Sequence, residues 1–215
     1  MRTVQVESFV LGPMMTNCYL LYQEKGGRGV VVDPGSGPEK AIQRIQELEL
    51  EIEAILLTHA HFDHIGGLEE VRSATGAPVW IHERESDWLE DPNKNGSSLF
   101  PGVETVRCRP AEKVLKGGEE LNLLGETFTV THTPGHSPGS ISFLHGETVF
   151  SGDVLFAGGI GRTDLPGGDY DTLMRSIHDY MMELPEETIV YSGHGPVTTI
   201  GREQDTNPFV TGMLG

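Results

Sequence analysis

The stretch LLTHAHFDHIGGLEE, residues 56–70, puts three histidines and an aspartate into six positions, between an apolar run and two glycines. The apolar residues before it, from Glu53 onward, read as a buried strand that ends near Thr58. If the chain stays extended there, side chains two apart point the same way, so His59 and His61 share a side. Asp63 and His64 then open the next turn, and Gly66 and Gly67 allow the backbone to fold close to it. Imidazole nitrogen and carboxylate oxygen are the donors that divalent ions such as zinc accept. Four such donors packed this tightly suit two adjacent ions better than one, with His59 and His61 facing the first and Asp63 and His64 the second.

Four donors do not complete two sites, so further ligands are expected at other strand ends. Three positions qualify. His136 lies in TPGHSPGS, Asp153 in VFSGDVLF and His194 in VYSGHGP, each where a β run gives way to a glycine-bearing turn. Functional groups concentrate on such loops over a rigid scaffold. The other histidines considered, His82, His132, His145 and His178, lack this setting; His132 is near enough to His136 in sequence to serve as a supporting partner.

Around these motifs the chain reads as alternating short strands and helices. Strands are expected at 3–11, 17–23, 29–35, 53–59, 77–82, 103–109, 126–135, 140–146, 148–156 and 187–196, from their Val, Ile, Phe and Tyr content and flanking turns. Helices are expected at 37–51, 64–76, 83–91 and 167–185, from apolar residues at helical spacing. Ala41, Ile42, Ile45 and Leu48 stripe the first. Leu173, Ile177, Tyr180, Met181 and Leu184 stripe the last, with Asp169 or Asp171 as its cap. Residues 91–102, DPNKNGSSLFPG, read as a mobile loop. The 215 residues suit one α/β domain with a substantial core.

Composition narrows the function. Fifteen basic against 32 acidic residues give a formal charge of −17, which opposes binding to a phosphate backbone. No apolar run reaches the roughly 18–20 residues of a membrane span. The first fifteen residues lack the apolar segment of a signal peptide, so cytoplasmic residence is the expectation. Cys18 and Cys108 are too far apart in sequence for a metal-type pair.

The motifs THAHFDH, TPGHSPGS, SGDVLF and SGHGP, in that order, resemble the metallo-β-lactamase superfamily over nearly the whole chain. The resemblance implies an αββα sandwich of two mixed β-sheets packed face to face with helices outside, as a single domain over 1–215. It implies that His59, His61 and His136 hold one divalent ion, that Asp63, His64 and His194 hold the other, and that Asp153 bridges them. Zinc is the expected metal, with iron or manganese as alternatives. Within the superfamily, GDVLFAGGIGRTD, GRTDLPGGDYDTLMRSI and GHGPVTTIGREQDTNPF resemble the short branch of the glyoxalase II group, the hydroxyacylglutathione hydrolases. The longer members carry a C-terminal helical extension that grips glutathione, and it is not expected here. A tyrosine that usually follows the last metal-binding histidine by two positions is replaced by Pro196. Arg162 matches a basic residue that longer members use near glutathione.

The implied activity is hydrolysis of a small-molecule acyl thioester such as S-lactoylglutathione. Two ions would share a water, and the resulting hydroxide would attack the carbonyl carbon. Asp63 would orient that water or take its proton, and the thiolate leaves without a strong acid. The nearest alternative is an iron-dependent persulfide dioxygenase, whose single iron would use His59, His136 and Asp153. A phosphodiesterase or nuclease is disfavoured by the charge, an exported β-lactamase by the N-terminus, and a non-catalytic metal-binding module by the full ligand set.

Overall fold

The computed structural model of the chain describes residues 3–212. They form two compact units, one reaching to Leu115 and including Asn122–Glu126, the other made of Lys116–Leu121 and the chain from Thr127 onward.

The first unit is built on a six-stranded sheet in chain order: β1 (Gln5–Leu11), β2 (Thr16–Tyr22), β3 (Arg28–Val32), β4 (Glu51–Leu56), β5 (Val79–His82) and β6 (Lys113–Leu115). The first three strands are antiparallel, and β3 to β6 run parallel. Parallel neighbours require crossovers. Helix α1 (Glu39–Glu47) joins β3 to β4, and α2 (Phe62–Ile65) with α3 (Leu68–Thr75) joins β4 to β5. All seven residues of β2 are buried. Cys18, Leu20 and Tyr22 of this strand join Val31 of β3, Ala41, Ile45 and Leu48 around α1, and Leu68 and Val71 of α3, in one apolar core.

Several elements differ from expectation. The helix expected over 37–51 stops at Glu47, because Glu49 turns left-handed (φ 53°) and Glu51 enters β4. That expected over 64–76 is two helices parted by Gly66–Gly67, the second ending on left-handed Gly76. Residues 83–91 form a 3-10 helix over Glu83–Trp88. The segment 91–102 is tied down: Asn95 is buried and donates from Nδ2 to the carbonyls of Trp88 (3.1 Å) and Val106 (2.9 Å). The strand expected at 103–109 is absent, because its backbone groups bond to loop partners, Val106 N–H to Ser97 Oγ and Cys108 N–H to the Leu89 carbonyl.

In the second unit the strand order is β14-β13-β10-β9-β8-β7. In chain order these are β7 (Glu120–Leu123), β8 (Glu126–His132), β9 (Ile141–His145), β10 (Thr148–Gly152), β13 (Ile189–Ser192) and β14 (Thr198–Thr199), while β11 (Leu155–Phe156) and β12 (Gly159–Ile160) pair as a separate ribbon. Helix α4 (Tyr170–Asp179) connects β10 to its parallel neighbour β13. Asp169 caps it by accepting from Thr172 N–H. Leu173 and Ile177 of its stripe, with Met181 beyond its end, meet Val149, Leu155 and Val190 in the core. The stripe continues into a 3-10 turn, Met181–Glu183, rather than more α-helix. A last helix not anticipated from sequence, α5 (Ile200–Thr206), starts at Thr199, whose hydroxyl accepts from Arg202 N–H. No described helix is long and apolar enough to cross a membrane.

Two predictions follow from this packing. Asn95→Ala orphans two carbonyls in the loop it ties, so destabilisation of about 1–3 kcal/mol is expected from the urea midpoint. Cys18 and Cys108 are both free and buried, and burial pushes their thiols up, Cys108 to about 12. Neither should react with a disulfide reagent at neutral pH until the protein unfolds, as a timed thiol titration would register.

Candidate metal centre

Strand β4 delivers the histidine motif. After Leu56 the chain bends at Thr58 and is extended again at His61 (φ −66°, ψ 145°), which precedes the single turn of α2. The rings of His59 and His61 stand edge to face with centroids 4.9 Å apart, and those of His59 and His64 lie 4.1 Å apart. Asp63 Oδ2 accepts the Thr16 hydroxyl at 2.8 Å and lies 3.5 Å from His64 Nε2. All four expected ligands of the first unit therefore form one patch, with both His59 and His64 fully buried.

What orients them is Asp33, a residue that pattern reading passed over. It sits just past β3 in a left-handed conformation (φ 49°) and is buried. Its Oδ1 accepts Thr58 N–H at 2.8 Å; its Oδ2 accepts the Thr58 hydroxyl at 2.6 Å and His64 Nδ1–H at 2.9 Å. A hydroxyl has one proton to give. Because Thr58 gives its proton to Asp33, its oxygen can only accept from His59 Nδ1, 3.1 Å away. Both imidazoles thus carry their proton on Nδ1 and present a bare Nε2, the tautomer a metal requires. Asp33, His59 and His64 are also close enough to share an ion. The three donors already on the Asp33 carboxylate make it a support for the ligands instead. The sequence signal for it was an acid closing an apolar run, VVVDPG.

A second buried carboxylate, Glu85, accepts Ala60 N–H at 2.6 Å and so holds the turn between His59 and His61. The double glycine has a steric cause. A Cβ on Gly67 would sit 2.2 Å from the Gly35 carbonyl oxygen, and one on Gly66 would sit 2.0 Å from Ser36 Oγ. At 67 the obstacle is backbone, so only glycine lets α2 lie against the loop that carries Asp33; at 66 the Ser36 hydroxyl could turn aside.

The second unit assembles the other three candidates by itself. His136 follows β8 in a tight loop, Asp153 follows β10 and His194 follows β13. Asp153 Oδ2 lies between two imidazoles, 3.5 Å from His136 Nε2 and 3.4 Å from His194 Nε2. His136 Nδ1 donates to the Arg162 carbonyl at 2.8 Å, which again leaves Nε2 bare. Gly161 permits this approach, since a Cβ there would meet the Asp153 carbonyl oxygen at 1.9 Å. His132 Nε2 pairs with the Pro138 carbonyl at 2.9 Å and so braces the His136 loop. The Arg162 side chain is half-exposed and forks onto Asp164, with Nε and NH2 each 2.7 Å from a carboxylate oxygen. That pair holds the Asp164 carboxyl down to about 2. His82 caps the 3-10 helix after β5, and His145 stacks on Phe128, so neither is drawn into a ligand cluster.

Three of the five candidate histidines thus have Nδ1 fixed by a protein acceptor, and each half includes a carboxylate beside the Nε2 atoms. This donor chemistry fits divalent ions. A profile described as the metallo-beta-lactamase superfamily matches residues 11–194, a span that contains every candidate ligand. The chain belongs to this superfamily. Its relatives include the Bacillus subtilis protein named "Probable metallo-hydrolase YqgX", 48% identical over 94% of this chain and 96% of the other. "Hydroxyacylglutathione hydrolase GloC" of Haemophilus influenzae is 37% identical over 96% of this chain and 98% of its own. Among solved structures, one described as BLEG-1 B3 metallo-beta-lactamase aligns with TM-score 0.92 at 49% identity, covering 96% of this chain and all of the other. Another, TTHA1623 in a di-iron-bound form, aligns with TM-score 0.83 at 41% identity over 95% and 100%. The metallo-β-lactamase fold, with two mixed sheets plus helices, is therefore this chain's fold, and its class is metal-dependent hydrolase.

Replacing Asp33 tests its support of the ligands. Asp33→Asn keeps the shape but cannot accept from all three donors, and metal affinity should fall by about 10–100-fold in chelator competition.

Proposed function

We propose that the protein is a metal-dependent thioester hydrolase of the hydroxyacylglutathione hydrolase kind, acting on S-lactoylglutathione or a related acyl thioester. In this reading His59, His61 and His136 would hold one divalent ion, Asp63, His64 and His194 would hold a second, and Asp153 would serve both. The observation that carries it is the position of Asp153 Oδ2 between the Nε2 atoms of His136 and His194, as a shared carboxylate requires. Bound ions of this class lower the pKa of a water and polarise a carbonyl. Zinc suits the donors, and the di-iron form of the TTHA1623 relative keeps iron open.

The chain's own groups supply the rest. Asp63, held at Oδ2 by Thr16, orients the attacking water and takes up its proton. Asp33 and Glu85 keep the histidine turn from rearranging as charge develops. No strong acid is required for a thiolate leaving group. Arg162 acts through its backbone carbonyl on His136; a substrate contact by its guanidinium requires Asp164 to yield first. The overlap with GloC along nearly both whole chains supports the thioester over other bonds. One observation favours a second reading, lactam hydrolysis: the likeness to BLEG-1.

Metal-loaded protein should hydrolyse S-lactoylglutathione, lose that activity on chelation and regain it with added metal. Asp153→Asn should lower kcat by more than about 100-fold, beyond the cost of losing an outer partner. Side-by-side assays with a chromogenic cephalosporin and with glutathione persulfide, the latter read as oxygen uptake, decide between the readings. Faster turnover of either would replace the thioester assignment.

A further inference from the structure

Within the first unit a groove of about 530 Å³ runs from Asp63 along α2 to the first turn of α3. That volume lies within the range of small-molecule sites, roughly 300–1,000 Å³. One wall is the β1–β2 turn, where Met14 is exposed beside Pro13. The segment 102–108, including Val103 and Glu104, contributes a further part of the lining. Phe62, Glu69 and Glu70 also line the groove.

The charges along it are uneven. Glu69 is neutralised by Arg72 and Arg109, at 2.6 and 2.7 Å. Glu70 and Glu104 are exposed to the groove, and Asp63 stands at its head. The one basic lining residue, Arg107, donates from NH1 to the Glu90 carbonyl. In the second unit, the basic residue that the resemblance sets near glutathione, Arg162, has its fork filled by Asp164. Glutathione brings two carboxylates, and neither arginine is arranged to take them.

We propose, resting on the thioester reading, that this groove receives the thiol-bearing half of the substrate and selects a neutral or cationic, partly apolar thiol over an anionic one. A small acyl group leaves such a volume unfilled, whereas a thiol carrier fills it. Met14, Phe62 and Val103 cover the apolar part of that carrier. Glu70 and Glu104 attract a positive group on it and repel carboxylates. The acyl chemistry stays the same; the difference lies in who carries the acyl group.

The test uses the full metal-loaded chain and three lactoyl thioesters, of glutathione, N-acetylcysteamine and thiocholine. The quaternary nitrogen of thiocholine cannot accept the acyl group. Each rate is divided by that ester's own hydroxide-catalysed rate, to remove leaving-group differences. The expected order of kcat/KM is thiocholine, then N-acetylcysteamine, then glutathione, with the ends about tenfold apart or more. Added salt and the double variant Glu70→Gln/Glu104→Gln should both narrow that gap, chiefly through KM. Calorimetry should show thiocholine itself binding more tightly than glutathione. A preference for the glutathione ester, or a gap that neither salt nor the double variant moves, overturns the proposal while leaving the thioester reading intact. Cleavage of none of the three overturns the thioester reading and this one with it.

Discussion

The carboxylate of Asp33 is the constraint on which the first half of the site depends. A buried ionised group is costly unless it is fully hydrogen-bonded. Asp33 meets that condition with three donors from one short stretch, Thr58 N–H, the Thr58 hydroxyl and His64 Nδ1–H. It can do so because β3 and β4 are parallel neighbours with Val32 opposite Leu56, so both strands end side by side. Asp33 N–H then bonds to the Leu56 carbonyl, and the Pro34 carbonyl accepts from Gly67 N–H. The two glycines, the parallel pairing and the histidine tautomers are thus parts of one arrangement. A larger residue at 67 would meet the Gly35 carbonyl and push α2 away, and with it the His64 proton that Asp33 needs.

The second unit reaches a comparable result by other means. Its histidine at 136 is oriented by a backbone carbonyl, that of Arg162, instead of a carboxylate. The loop that supplies it approaches so closely that residue 161 must be glycine. Asp153 stays beside two Nε2 atoms because β10 and β13, parallel neighbours joined through α4, end together at Gly152 and Ser192. Both sheets therefore use one principle: parallel strands that stop at the same level carry their functional groups on the loops just beyond.

Selection of substrate is a separate matter from assembly of these half-sites. The candidate ligands suit a metal centre of the superfamily to which the chain belongs, and relatives within it are named for different substrates. What differs among such proteins must lie in the surrounding loops. Here the first unit contributes exposed Met14, Glu70 and Glu104 to a groove that Phe62 also lines, and the second an arginine already paired with an aspartate.

Much of the fold was legible because strand and helix periodicities are local: β1, β5, β8 to β10, β13 and the capped start of α4 lie within the segments that composition and turn residues marked, and β2, β3 and β4 overlap theirs but start one or two residues earlier. The seven candidate ligands were legible too, since HxHxDH and three lone residues in glycine-bearing turns are properties of the chain order itself. The sequence by itself determined which donors exist and that strand ends carry them. Only the tertiary structure decided which ring nitrogen carries the proton in His59, His64 and His136. That depends on Asp33, 26 residues before His59, and on the carbonyl of Arg162, 26 residues after His136. The same holds for Asn95, whose polar loop looked mobile until its side chain met carbonyls from two other turns, and for 103–109, whose β-like sequence found no strand to pair with. Hydrogen-bond partners distant in sequence leave no periodic trace, so pairing, tautomer and register become definite only when the folded chain brings donor and acceptor to the same place.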